Sequence, residues 1–118
     1  MKQGSTRKKS MKQNATRGII LKKLRQHMPQ LRSKYGIQRI ALFGSFARDT
    51  QTRKSDVDLL VELSRPLGFE FVRLADDLEK ILGRKVDLAT FETYHRSKQD
   101  PRKRRIAEKI EKELVYIP

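Results

Sequence analysis

The sequence predicts a small α/β (α+β) domain, a short mixed sheet with helices packed mainly on one face. Three observations lead there. An apolar run from Ile37 to Phe43 stops at Gly44, a second runs from Asp56 to Leu63, and the pattern between Phe69 and Leu82 is amphipathic and bounded by Gly83. The resulting order of helix, strand, turn, strand, helix, strand, helix suits a single sheet covered by helices. A chain of 118 residues holds one core of useful size. The domain is placed at residues 16–118, behind a basic and flexible tail at 1–15.

In order along the chain, Ile19, Ile20, Leu24, Met28 and Leu31 recur at helical spacing, with Thr16 as N-cap and Pro29 expected to break or restart the helix. Gly36 closes that region. Ile37, Ile40, Leu42 and Phe43 then read as a buried strand, after which Ser45 opens a short helical turn. From Asp56 to Leu63 a second strand places both aspartates on one face and Val57 and Leu59 on the other. Ser64 to Gly68 is a turn. Phe69, Val72, Leu74, Leu78, Ile81 and Leu82 form one helical face, capped by Gly83. Lys85 to Thr90 returns to strand character, and the chain becomes polar beyond Phe91. Ile106, Ile110 and Leu114 predict a last helix between Arg104 and Tyr116.

The bulk properties narrow the chemistry. Cysteine is absent, which excludes disulfides and thiolate metal sites and fits a reducing cytoplasm. His27 and His95 cannot make a zinc site by themselves, so a metal would be a hard ion on carboxylate oxygen. No apolar run is long enough to span a membrane, and the basic N-terminus lacks the apolar core of a signal peptide. The formal charge of +14 is uneven: residues 1–17 carry Lys2, Arg7, Lys8, Lys9, Lys12 and Arg17 without an acid. A second cluster, Arg96, Lys98 and Arg102 to Arg105, surrounds only Asp100. Such patches attract polyanions, including nucleic acid and nucleotides, although a solvated helix face has the same composition.

The chemistry concentrates in two motifs. Side chains at i and i+2 of a strand share a face with Cα atoms roughly 6.5–7 Å apart, so Asp56 and Asp58 can converge on metal ions about 3.5–4 Å apart. Asp87, in an otherwise apolar strand where an unpaired acid is costly, is the candidate third carboxylate and the candidate base for an attacking hydroxyl. Gly44 and Ser45 supply close backbone approach, amide donors and a hydroxyl for a phosphate, and Arg48 lies one helical turn onward. Each motif alone is common in turns and strand ends. Their conjunction, Gly44-Ser45 closing one apolar strand and Ser55-Asp56-Val57-Asp58 opening another, is far more specific.

That conjunction, with ten residues between Ser45 and Asp56, resembles the signature of the DNA polymerase beta nucleotidyltransferase superfamily. Phe43 to Arg48 together with Ser55 to Val61 resembles more narrowly the minimal nucleotidyltransferases, antitoxin partners of HEPN-domain ribonuclease toxins, over nearly all the chain from Ile19 to Tyr116. The resemblance implies two magnesium ions held by Asp56 and Asp58, with Asp87 completing the site and the ATP triphosphate gripped by Gly44 and Ser45. It also implies transfer of AMP from ATP to a tyrosine of the toxin, in a hetero-oligomer with it. Asp49 departs from the glycine frequent after the Ala-Arg pair. Two other readings remain open at this stage: a non-catalytic module that neutralises its partner by complex formation, and a nucleic-acid binder using the basic tail. Phe46 reads as a core anchor, and Tyr35, Tyr94, Tyr116 and both histidines as packing or surface residues.

Overall fold

The computed structural model describes residues 15–117. Apart from Ala15, the expected tail lies outside the described residues. Helix α1 spans Arg17–Tyr35 and begins as predicted, with the Thr16 hydroxyl accepting the Ile19 N–H at 3.3 Å. It does not break at Pro29. That residue is exposed, so the intrahelical bond it removes falls on the wet side, while Met28, Leu31 and Tyr35 hold the other side in the core. Ile19 is also on the outside, 40% exposed, because the buried stripe runs through Ile20, Leu24, Met28, Leu31 and Tyr35. Gly36 ends α1 at φ 71°, its N–H on the Arg32 carbonyl.

Strand β1 (Ile37–Phe43) leads into the short helix α2 (Gly44–Arg48), and β2 covers Val57–Leu63. Helix α3 (Glu70–Leu82) ends at Gly83, as predicted, and strand β3 covers Val86–Thr90. Phe69 and Val72 are 96% and 63% exposed, outside the predicted stripe: Phe69 precedes the helix, and Val72 lies away from the buried face of Leu74, Leu78 and Leu82. Helix α4 (Phe91–Gln99), α5 (Arg104–Glu113) and the two-residue β4 (Val115–Tyr116) complete the chain. The sequence reading missed α4. Its signal was Thr90, whose hydroxyl accepts the Thr93 N–H at 3.1 Å, with Phe91 and Tyr94 three apart on the buried side. It also ran the last helix too far, since Leu114 is already extended and β4 pairs with β1.

The sheet order is β3-β2-β1-β4, with β2 antiparallel to β1 and parallel to β3. A register shift between Ile37 and Arg39 turns the three-residue interval from Ile37 to Ile40 into a common inward direction. The main core joins Ile40, Leu42, Val57, Leu59 and Val61 to the apolar sides of α1 and α3, with Phe46 fully buried as predicted. The opposite face carries a smaller cluster of Ala41, Leu60, Phe91, Tyr94 and Ala107 under α4 and α5. The Tyr94 hydroxyl donates to the Ala107 carbonyl at 3.0 Å, joining those two helices. None of the described helices is long and apolar enough to cross a membrane.

Asp49 adopts φ 63°, the left-handed conformation for which glycine is suited, and caps α2 with its N–H on Phe46 and Ser45 carbonyls. Asp49 therefore takes the left-handed conformation that a glycine would hold with less strain. Asp49→Gly should stabilise the domain by about 1 kcal/mol in urea unfolding; no gain in the unfolding midpoint would contradict a strained turn.

Candidate active site

The candidate site forms where the C-terminal end of β1 meets the N-terminal ends of β2 and β3. Asp58 is the Cα partner of Phe43 on one side and of Asp87 on the other. Strand alternation sends Val57 and Leu59 into the main core and leaves Asp58 on the opposite face, half-buried. Parallel neighbours lie about 4.8 Å apart, so the ladder itself sets Asp87 beside Asp58. Asp87 is exposed on an edge strand, so the cost of a buried acid is not what marks it. Register is. Asp56 precedes β2 rather than lying in it, and is exposed.

Asp58 responds to this crowding. Its pKa is raised to about 6, first by burial, then by the charges of Asp87 and Asp56, with Arg48 opposing and Glu113 adding to the rise. Among the described residues no three His, Cys, Asp or Glu side chains close into a metal-sized cage. The donor chemistry nonetheless fits a hard divalent cation: all oxygen, and mutually repelling enough to penalise the charge on Asp58.

Gly44 sits against Asp58. Its φ is 74°, and a Cβ there would collide with the Asp58 carboxylate, so any other residue would be strained in its backbone and would have to displace Asp58. Its N–H is already engaged, donating to Glu113 Oε2 at 2.5 Å. Arg48 is engaged as well, its Nη1 lying 3.1 and 3.0 Å from the two Glu113 oxygens. Of the three predicted phosphate ligands, Ser45 has a hydroxyl with no hydrogen bond among the described residues.

Sequence reading missed two residues that shape the site. Glu113 comes from the end of α5, and nothing near it in sequence pointed to Gly44. Arg84, next to the α3 cap, donates Nη2 to the carbonyls of Thr52, Arg53 and Ser55 at 3.2, 2.7 and 3.1 Å, and lies over the Phe46 ring. It thereby staples the loop that delivers Asp56. Arg17, grouped with the tail by charge, starts α1 and donates to the Ala47 carbonyl at 2.8 Å, holding the far end of α2.

Farther along the carboxylate face an apolar cleft of about 350 Å³ lies between Phe43, Leu60 and Ala89 below and Tyr94, Ile106 and Ile110 above. A larger cleft of about 690 Å³ lies between α1 and α3, away from the carboxylates. Within it Tyr35 and Lys34 both donate to Asp77.

A glycine-serine turn packed against one of three neighbouring carboxylates, on the end of a small mixed sheet, defines a nucleotide-handling transferase domain. The chain belongs to the family described as nucleotidyltransferase domain, whose model matches residues 21–117. A chain of Methanocaldococcus jannaschii provisionally named protein adenylyltransferase is 41% identical over 97 residues, 80% of this chain and 90% of that one. A solved structure provisionally described as a minimal nucleotidyltransferase is 27% identical with a TM-score of 0.61, covering 86% of this chain and 96% of that one. A crystal structure described as a toxin-antitoxin with AMP-PNP is 31% identical with a TM-score of 0.50, covering 72% of this chain and 66% of that one.

Two outcomes follow from the geometry. Gly44→Ala must hold a left-handed backbone and displace the Asp58 carboxylate, and should cost at least about 2 kcal/mol in urea unfolding; an unchanged midpoint would contradict the close approach. Asp58 binds its proton more tightly in the folded chain than at its ordinary value of 3.8. Its stabilising contribution is therefore complete below pH 3.8 and is lost as pH rises through about 6. In metal-free buffer the thermal midpoint should carry a component that falls across that window and is missing from Asp58→Asn. Identical pH profiles for the two proteins would refute it.

Proposed function

We propose that the chain is a magnesium-dependent protein adenylyltransferase that moves AMP from ATP to a tyrosine hydroxyl of a partner HEPN ribonuclease toxin, and so acts as its antitoxin. The observation that carries the reading is the position of Asp58, paired in the sheet with Asp87 on one side and with the strand leading into Gly44 on the other. Phosphate-binding and carboxylate groups then meet at one point. The relative named protein adenylyltransferase supports a protein acceptor, and the toxin-antitoxin structure with AMP-PNP supports a toxin partner.

In this reading Asp56, Asp58 and Asp87 hold two magnesium ions, which when bound supply charge neutralisation at the phosphates. The Ser45 hydroxyl and the α2 amides that follow Gly44 hold the triphosphate, with Arg48 beside them. The tyrosine oxygen attacks the α-phosphorus, the bond from that phosphorus to the oxygen bridging toward the β-phosphate breaks, and pyrophosphate leaves. Asp87, exposed at the sheet edge, is open to an incoming macromolecule and accepts the tyrosine proton. Arg84 keeps the Asp56 loop in place through its three carbonyl contacts.

The experiment is incubation of the purified chain with α-labelled ATP, magnesium and the HEPN partner. Label should appear on a partner tyrosine, and Asp56→Asn and Asp58→Asn should each lower the rate at least about a hundredfold while still binding the partner. Full neutralisation by those variants, with no label transferred by the unaltered chain, would instead establish a non-catalytic antitoxin.

A further inference from the structure

Helix α2 begins without help from its own sequence. Phe43 stands at its N-cap and its side chain makes no capping bond, so the first amide of the turn has no local acceptor. The acceptor comes instead from the other end of the chain: Glu113, the last residue of α5, takes the Gly44 N–H. The same carboxylate holds Arg48, the last residue of α2. One side chain, only 10% exposed, therefore ties both ends of the turn to α5.

We propose that Glu113 is the positioning residue of the phosphate turn, fixing Gly44 and Arg48 so that Ser45 and the free edge of the Arg48 guanidinium meet the triphosphate. This rests on the transferase reading above. The division of labour follows from the contacts. The Gly44 amide belongs to Glu113, leaving the Ser45 hydroxyl, which has no partner among the described residues, for the nucleotide. Arg48 uses Nη1 alone on Glu113, and among the described residues its Nε and Nη2 carry no hydrogen bond. An arginine held by one nitrogen can present the others in a fixed direction to a phosphate, which an unanchored side chain does only with a loss of rotamer freedom. The anchor is itself held: Leu114 packs with the cluster under α5, and Val115 and Tyr116 pair with Leu42 and Ala41 of the strand leading into the turn. The C-terminal segment is thus registered against β1 and delivers Glu113 to the end of that same strand.

A carboxylate on these donors has an opposite reading, in which it competes with the triphosphate and must be expelled. The two make opposite predictions for nucleotide affinity. Binding of a fluorescent ATP analogue with magnesium, and amide exchange over residues 44–48 without nucleotide, should be measured for the unaltered chain, Glu113→Gln and Glu113→Ala. Positioning predicts that Glu113→Ala weakens binding about tenfold or more and speeds exchange at Gly44. Glu113→Gln keeps an acceptor for the Gly44 amide and should recover the slow exchange, but not the affinity that depends on a fixed Arg48. Tighter binding by either variant, or unchanged exchange in Glu113→Ala, would overturn the proposal. An unaltered chain that binds no magnesium nucleotide would sink the transferase reading instead, while the exchange comparison would still decide whether Glu113 holds the turn. A thermal midpoint for each variant separates local loosening from general unfolding.

Discussion

The structure depends on the register of β2 between β1 and β3. A shift of one residue would send Asp58 into the apolar core and Val57 and Leu59 to the opposite face, so the hydrophobic alternation holds the register and the register holds the site. Because Asp58 pairs opposite Phe43, the residue that follows β1, Gly44, arrives against its carboxylate, and a Cβ there would collide with it. Because it also pairs opposite Asp87, two acids stand side by side at a sheet edge. Packing, not local preference, thereby assembles charges that repel one another. The raised pKa of Asp58 is the electrostatic trace of that arrangement.

Such a site needs support from outside its own motif, and three basic or acidic side chains supply it. Arg17 from α1 holds the back of α2, Arg84 from beyond α3 holds the Asp56 loop, and Glu113 from α5 holds the front of α2. Each bonds backbone groups of a segment far from it in sequence. A turn of five residues is too short to be stable alone, so its orientation is determined by these long-range contacts and by the burial of Phe46 and Ala47. One face of the sheet carries the main core; the other, covered in part by the smaller cluster under α4 and α5, carries Asp58.

Much of the fold was legible because its signals are local. Thr16, Gly36 and Gly83 cap helices through bonds within a few residues, and the runs at Ile37 and Val57 are short and largely apolar, as strands buried in one sheet are. The misreadings have physical causes. Pro29 sits on a wet helix face where a lost bond is cheap, and Phe69 and Val72 fit a helical period without facing the core. Helix α4 is short and polar, held by a cap and two aromatic residues, which leaves little periodicity to detect. β4 is two residues long and exists only through β1.

By itself the sequence determined the family, the glycine-serine turn and the aspartates, because these are covalent neighbours whose spacing is written in the chain. It also singles out Asp87, as an acid costly to leave unpaired in an apolar strand, whereas Asp87 is exposed at a sheet edge. What brings it to Asp58 is a parallel pairing across an intervening helix. Only tertiary structure could decide that, and only tertiary structure could bring Glu113 to Gly44 across 69 residues. Contacts of that range depend on how the helices pack, which no motif of a few residues encodes.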